Sequence, residues 1–146
     1  MLITKEIEID AAHRVTNHKS KCRSNHGHRY RIEVGVDDKV ITTRGSSDEG
    51  MVIDYGDLKE LMMEELDKRF DHGTILWSED PLVKAMKEDT NTKLTVVDFI
   101  PTAENLAKYW FDLMKSKLEA RSIKIKHVKV WETPSSSALY EETNKL

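Results

Sequence analysis

The sequence predicts an α+β layered domain in which two long amphipathic helices pack on a sheet. Apolar and polar residues alternate near both ends of the chain, and apolar residues recur at helical spacing in two stretches between them. The 146 residues, of which 38% are hydrophobic, provide enough apolar material for one core. We therefore expect a single domain over residues 1–146.

The first two strands are the clearest elements. From residue 2 to residue 13, odd-numbered apolar side chains alternate with polar ones, which is typical of a half-buried strand. The alternation resumes at His26, where the even-numbered side chains continue the apolar face. If the two strands form an antiparallel hairpin, His13 ends the first strand where His26 and His28 begin the second. Three imidazoles would then converge at one end of the sheet.

Two stretches predict the long helices. Asp54 is the expected N-cap of an amphipathic helix of roughly 15 residues, which ends near Gly73. Thr102 is the expected N-cap of the second helix. Both helices carry an apolar stripe that would cover one face of the sheet.

The remaining elements are shorter. An apolar strand is expected at 51–53 after a turn region, and two strands are expected at 123–131 and 136–140. Residues 73–100 look like an insertion. Within them we expect a short helix from Pro81 to Lys87 and a strand over 93–99.

Composition excludes several classes of protein. The chain lacks a run of about 18 apolar residues, and its first ten residues alternate instead of forming the apolar core of a signal peptide. We therefore expect a cytoplasmic protein without a membrane segment. A single cysteine, Cys22, excludes an internal disulfide framework and leaves packing, metal binding or chemistry as its role.

Charge is unevenly distributed although the net charge is only -3. No acidic residue lies between Asp10 and Glu33, a region that contains six basic residues: Arg14, Lys19, Lys21, Arg23, Arg29 and Arg31. Such a basic region in an acidic protein favours a small anionic ligand over nucleic acid, which usually needs a broad basic face. The alternative is a solvated loop held by salt bridges.

The histidine pattern predicts a metal site. Residues two apart on a strand point the same way, so His26 and His28, with His13 from the neighbouring strand, offer three nitrogen ligands. Three protein ligands with one open position are typical of catalytic zinc. The alternative for such strand histidines is a hydrogen-bonded or surface position.

Three further positions are candidates for chemistry. Cys22 lies between Lys21 and Arg23, which favour the reactive thiolate, whereas most free cysteines are inert packing residues. Asp71-His72 has the composition of an acid/base pair, although such neighbours are common. Glu132 ends an apolar strand, where a carboxylate suits a guanidine-like ligand or simply the surface.

Six motifs then occur in the order of a known family: Ala11-Ala12-His13, Lys21-Cys22-x3-His26-Gly27-His28-x-Tyr30, Asp54-Tyr55-x2-Leu58-Lys59, Asp71-His72, Pro101-Thr102-Ala103-Glu104-Asn105-Leu106 and Trp131-Glu132-Thr133-Pro134. Together they resemble the 6-pyruvoyl-tetrahydropterin synthase family. The resemblance is strongest to its bacterial branch, the 6-carboxy-5,6,7,8-tetrahydropterin synthases of queuosine biosynthesis. The motifs span nearly the whole chain.

The resemblance implies the tunnelling fold (T-fold), an antiparallel four-stranded sheet with two helices packed on one face. It also implies that the sheets assemble into a ring or barrel, usually a homohexamer built as a dimer of trimers, with active sites at subunit interfaces. The segment 73–100 departs from the most compact relatives, because it is longer. It would alter substrate access or oligomer contacts, or be an idle insertion.

The resemblance assigns roles residue by residue. It implies that His13, His26 and His28 bind zinc. Cys22 would be the catalytic cysteine, and Asp71 with His72 a proton-relay pair. In the pterin site, Glu132 would anchor the ring and Thr102 would help to hold it.

The implied substrate is 7,8-dihydroneopterin triphosphate, with the basic region as a partner for the triphosphate. In the carboxy branch the products are 6-carboxy-5,6,7,8-tetrahydropterin, acetaldehyde and triphosphate. In the pyruvoyl branch triphosphate is eliminated and the carbons are retained. The short Cys22-x3-His26 spacing resembles the carboxy branch. A non-catalytic zinc- or pterin-binding member is the other alternative, and a structural zinc site normally needs a fourth ligand.

Overall fold

The computed structural model describes residues 1–142 and confirms the α+β class. In chain order the elements are β1 (Leu2–His13), a 3-10 turn (Lys21–Arg23), β2 (His26–Asp37), α1 (Tyr55–Met62), a π-helical segment (Met63–Asp67), α2 (Lys68–Phe70), β3 (Gly73–Trp77), α3 (Leu82–Glu88), β4 (Leu94–Val97), α4 (Ala103–Glu119), β5 (Ile125–Thr133) and β6 (Ser136–Glu141). Residues 55–70 are helical throughout and form the first long helix, and α4 is the second. Among the described residues, no helix is both long and apolar enough to cross a membrane.

Within residues 1–142 the sheet has six strands in the order β4-β3-β1-β2-β5-β6, instead of the four that the resemblance implies. Four of them, β1, β2, β5 and β6, form the expected antiparallel part. The other two, β3 and β4, come from the segment 73–100 and continue the sheet from the edge of β1 in parallel pairing. The insertion-like segment is therefore part of the sheet.

The prediction of a strand at 51–53 is wrong. The backbone of Met51 makes a local pair with Ile41, at 2.7 Å from the Ile41 amide to the Met51 carbonyl, and the pairing ends there. Val52 and Ile53 are buried in the core without strand conformation. Asp54 begins the first long helix directly afterwards, since its side chain accepts a hydrogen bond from the Gly56 amide at 2.6 Å.

The core lies between the two long helices and one face of the sheet. Alternating strand residues provide the sheet side of this core, which is why their period of two was visible in the sequence. The largest fully buried side chains are Trp110, Tyr30, Phe70, Phe111, Ile9, Ile32, Leu58, Met62, Leu66, Ile75, Leu76 and Leu106. The opposite sheet face carries charged side chains, including Glu6, Glu8, Arg29 and Arg31.

On that opposite face, Gly35 leaves room for a histidine. Gly35 pairs with His127 across β2 and β5, and the ring of His127 covers the glycine. His127 as a residue is only 7% exposed, and its Nε2–H donates to the Glu33 carboxylate at 2.7 Å. A methyl group at position 35 would lie 2.2 Å from the nearest ring carbon.

We expect Gly35→Ala to lower the free energy of unfolding by about 1–3 kcal/mol, because the new methyl group overlaps the His127 ring. Urea denaturation measures this loss. The matched background is His127→Ala, in which the same Gly35→Ala change should cost much less. An equal loss in both backgrounds would contradict the steric explanation.

Candidate active site

The hairpin of β1 and β2 brings the three predicted histidines together. His13 lies directly opposite His26, and Ala11 lies opposite His28, so all three imidazoles reach the same end of the sheet. One ligand nitrogen from each ring lies within 4.8 Å of the others. His13 is buried and the other two are partly exposed, which leaves the cluster open on one side.

Two backbone carbonyls fix the orientation of the first two rings. His13 Nδ1–H donates to the Pro101 carbonyl at 2.6 Å, and His26 Nδ1–H donates to the Ser24 carbonyl at 2.7 Å. Each ring therefore keeps its lone pair on Nε2, and these two Nε2 atoms are 3.2 Å apart. Two facing lone pairs repel each other unless a cation lies between them.

His28 completes the donor set. Its Nε2 is buried and makes no hydrogen bond among the described residues. The nearest carboxylate oxygen, Oε1 of Glu132, is 3.6 Å away, which is too long for a hydrogen bond. A buried polar atom without a partner is costly. The three rings thus fit a metal ion that prefers imidazole ligands, and carbonyl contacts of this kind orient metal ligands.

Burial favours the neutral form of His13 and His28. Desolvation lowers the pKa of His13 and of His28 below the usual value, although the nearby Glu132 carboxylate opposes part of this effect. Neutral imidazole is the metal-binding form. His13 and His28 are therefore in the form that can bind a metal near neutral pH.

The lowered pKa values predict how pH affects the metal-free protein. An unfolded chain binds protons on these histidines below about pH 6.5, where the folded chain still resists them. The free energy of unfolding should therefore fall as the pH is lowered from about 7 towards 5, and the loss should be larger with metal bound, because the metal must be displaced before the histidines can bind protons. Urea denaturation at several pH values measures this. Equal stability of the metal-free protein across this range would contradict neutral, buried histidines.

Cys22 lies in a second part of the site, which meets the candidate metal-ligand cluster of His13, His26 and His28 at Glu132. It is half-buried and lines a cavity of about 260 Å³ together with Thr102 and Glu132. The first turn of α4 contributes Ala103 and Glu104 to the same wall. Three of the predicted site residues are thus brought together.

Thr102 and its neighbour connect the cavity to the metal-ligand cluster. The Thr102 hydroxyl caps α4 by accepting a hydrogen bond from the Asn105 amide at 3.4 Å. The preceding carbonyl, that of Pro101, is the one that orients His13. Sequence analysis missed this second contact, because a backbone carbonyl leaves no signal in the residue pattern.

Asp71 and His72 form the expected pair but lie elsewhere. His72 Nδ1–H donates to Asp71 Oδ2 at 2.6 Å, and the other carboxylate oxygen accepts from the Asp10 amide at 2.8 Å. These hydrogen bonds contribute to the lowered pKa of Asp71, with the Asp10 amide as the largest cause. The carboxylate is therefore ionised and holds one ring nitrogen of His72 as a donor.

The position of His72 separates it from Cys22. Its side chain is 78% exposed, and its φ of 58° is unusual for a residue other than glycine. It lines a depression with Asp10, Arg29 and the edge of His28, on the sheet face away from the helices. The cavity of Cys22 does not include it. Within one chain, His72 and Cys22 therefore line different cavities.

The basic region does not form one surface. Arg29 and Arg31 lie on the sheet face away from the helices, where Arg29 pairs with Asp10 at 3.0 Å and Arg31 lies over the Trp131 ring at 3.8 Å. Arg14 pairs with the buried Asp80, a contact that the sequence did not indicate. Lys19, Lys21 and Arg23 are exposed and make no ion pair within residues 1–142. These three remain as candidates for binding an anion.

The comparisons with known proteins identify the family of this chain. The sequence profile of the family described as 6-pyruvoyl tetrahydropterin synthase matches residues 2–143. The chain belongs to this family. In the pterin synthase family, a Rickettsia bellii protein named 6-carboxy-5,6,7,8-tetrahydropterin synthase is 34% identical over 134 residues, which cover 90% of this chain and 94% of the relative.

Further relatives carry the same name. The Aquifex aeolicus protein is 32% identical, and the alignment covers 96% of this chain and 97% of the relative. The Haemophilus influenzae protein is 29% identical, with 96% of this chain and 98% of the relative covered. The resemblance stated from the sequence motifs is therefore confirmed.

Solved structures confirm the tunnelling fold of the pterin synthase family. A crystal structure of an uncharacterized protein from Wolinella succinogenes matches with a TM-score of 0.81 at 22% identity, over 98% of both chains. The 6-pyruvoyl tetrahydropterin synthase of Caenorhabditis elegans matches with a TM-score of 0.69 at 27% identity, over 98% of this chain and 96% of that chain. At 22% identity, the match to the Wolinella succinogenes protein is evidence for the fold alone.

Proposed function

We propose that the chain is a zinc-dependent 6-carboxy-5,6,7,8-tetrahydropterin synthase, a lyase of the queuosine pathway. It converts 7,8-dihydroneopterin triphosphate to 6-carboxytetrahydropterin, acetaldehyde and triphosphate. The observation that carries this proposal is the open cluster of His13, His26 and His28 beside a cavity lined by Cys22 and Glu132. The shared name of the bacterial relatives supports the carboxy product.

In this proposal His13, His26 and His28 hold the zinc ion. Three imidazoles leave one position for a ligand, which is the arrangement of catalytic rather than structural zinc. Zinc supplies Lewis acidity, which would make the C–H beside a bound side-chain hydroxyl more acidic.

The other residues bind the substrate and move protons. Glu132 accepts hydrogen bonds from the guanidine-like edge of the pterin ring, while Thr102 lines the same cavity. The Cys22 thiolate takes or returns a proton on the side chain of the substrate. Lys19, Lys21 and Arg23, which are exposed and near Cys22 in the chain, attract the triphosphate.

A second copy of the chain supplies Asp71 and His72 to a given Cys22. The separation of the two groups within one chain supports this, since His72 lies on the sheet face away from the helices. It also supports assembly into a homo-oligomer, and we propose the hexameric ring of the family. His72 then transfers a proton on the other side of the substrate, with Asp71 holding its ring.

A mixing experiment tests the shared site. Cys22→Ala and His72→Ala variants, each inactive alone, should regain part of the activity when they are dissociated and reassembled together. Mixing either variant with itself is the control. If the mixed oligomers stay inactive although they contain both chains, each chain must supply its own pair.

Incubation with substrate tests the function itself. Zinc-loaded protein is given 7,8-dihydroneopterin triphosphate without a reductant, and the pterin product is weighed by mass spectrometry while acetaldehyde is assayed. We expect the carboxy product with acetaldehyde. A pyruvoyl product without acetaldehyde would assign the chain to the other branch, and unchanged substrate with zinc bound would show a non-catalytic member.

A further inference from the structure

The loop that carries Cys22 is held by few contacts. None of residues 14–25 is fully buried, so packing alone holds the loop weakly. A hydrogen bond inside it positions the cysteine backbone, because the Val15 amide donates to the Cys22 carbonyl at 2.9 Å. The position of Cys22 therefore depends on what holds residues 14–16.

A single buried carboxylate holds these residues. The side chain of Asp80 is 0% exposed and accepts a hydrogen bond from Arg14 Nε at 2.7 Å. Arg14 Nη2 and the Thr16 hydroxyl also donate to this carboxylate. Among residues 1–142, the side chains of the loop make no hydrogen bond or ion pair with any other group outside it. Asp80 thus binds Arg14 and Thr16, the residues on either side of Val15.

The Asp80 carboxylate is itself held in place by hydrogen bonds and is ionised. Asp80 lies in the turn between β3 and α3, where its side chain accepts from the Leu82 amide at 2.8 Å and its carbonyl accepts from the Val83 amide at 3.0 Å. The hydrogen bond from Arg14, with those from Thr16 and Leu82, lowers the pKa of Asp80 to about 2. The Asp80 carboxylate therefore stays ionised, and able to bind Arg14, throughout the physiological pH range.

We propose that Asp80 is the positioning residue for Cys22, and that the segment 73–100 supplies it. The segment joins the sheet through β3 and β4 and presents Asp80 to the loop, so it is not an idle insertion. Asp80 acts through Arg14, Thr16 and Val15 and does not touch the substrate. This inference rests on the proposed function for the role of Cys22, but the geometry of the cysteine can be measured without turnover.

The experiment compares Asp80→Asn with Glu79→Gln, an exposed neighbouring carboxylate that provides the matched loss of charge. Because Cys22 is the only cysteine, the rate of its alkylation by iodoacetamide reports its exposure directly. The rate is measured on the intact, zinc-loaded protein well below its melting temperature. Zinc content, kcat and KM are measured on the same samples.

We expect Asp80→Asn to be alkylated several-fold faster than the wild type, with its zinc retained, because the loop is released. Its kcat should fall by about 10- to 100-fold with a smaller change in KM, since a misplaced catalytic group affects chemistry more than binding. Glu79→Gln should behave as the wild type in every measurement. Thr16→Val, which removes one donor to Asp80 and keeps the side-chain shape, should show the same changes in weaker form.

Native alkylation rates in folded Asp80→Asn and Thr16→Val would overturn the proposal. If Asp80→Asn does not fold, the alkylation rate of Thr16→Val decides the question in the same way. A wild type that does not turn over the pterin substrate would refute the proposed function alone, because the alkylation contrast still tests whether Asp80 positions Cys22.

Discussion

Replacing His28 with alanine is expected to abolish both metal binding and turnover. His28 supplies one of three imidazole nitrogens, and its buried Nε2 makes no hydrogen bond among the described residues. With two imidazoles left, metal affinity should fall by more than about 100-fold, since even the loss of outer contacts to metal ligands costs 10–100-fold. Zinc content after gel filtration and the rate of product formation measure the two losses.

The matched control for this change is His127→Ala. His127 is a buried histidine on the other face of the sheet, where it contacts Glu33 instead of the metal-ligand cluster. This variant should keep its zinc although it is less stable. If His28→Ala retained stoichiometric zinc with wild-type affinity, the three-histidine site would be wrong.

Replacing Cys22 with alanine should separate chemistry from metal binding. Cys22 lines the cavity with Glu132 and Thr102 but is not one of the three clustered ligands, so the variant should bind zinc normally. Its kcat should fall by about 10²- to 10⁴-fold, the usual contribution of a group that transfers protons. Steady-state kinetics and zinc content on the same samples measure both quantities.

Asn17→Ala is the control for Cys22→Ala, because it truncates an exposed side chain in the same loop that makes no hydrogen bond among the described residues. It should retain wild-type kcat and zinc. A fully active Cys22→Ala protein would remove the cysteine from the mechanism.

The convergence of the three histidines could be predicted because it depends on local rules. Side chains alternate along a strand, and a hairpin pairs its strands in a fixed register, so the positions of His13, His26 and His28 follow from sequence spacing. The N-caps Asp54 and Thr102 were found for a similar reason. A cap accepts a hydrogen bond from an amide only two or three residues away.

The missed parts depend on contacts between distant residues. Residues 73–76 of β3 are all buried, as is common in parallel strands, so they lack the alternation that reveals a half-buried strand. The partnership of Arg14 with Asp80 joins residues 66 apart in the chain. His72 is separated from Cys22 because it lies in the turn before β3, on the sheet face away from the helices. The residue pattern did not show on which side of the sheet this turn places its side chains.

X-ray absorption at the zinc edge tests the central claim, that three histidines hold a catalytic zinc ion and leave Cys22 free. The spectrum of the zinc-loaded protein should be described by nitrogen and oxygen neighbours at about 2.0–2.1 Å, with a pattern of three imidazoles. It should be unchanged in Cys22→Ala. A sulfur neighbour at about 2.3 Å that disappears in Cys22→Ala would contradict the claim, because Cys22 would then close a four-ligand structural site.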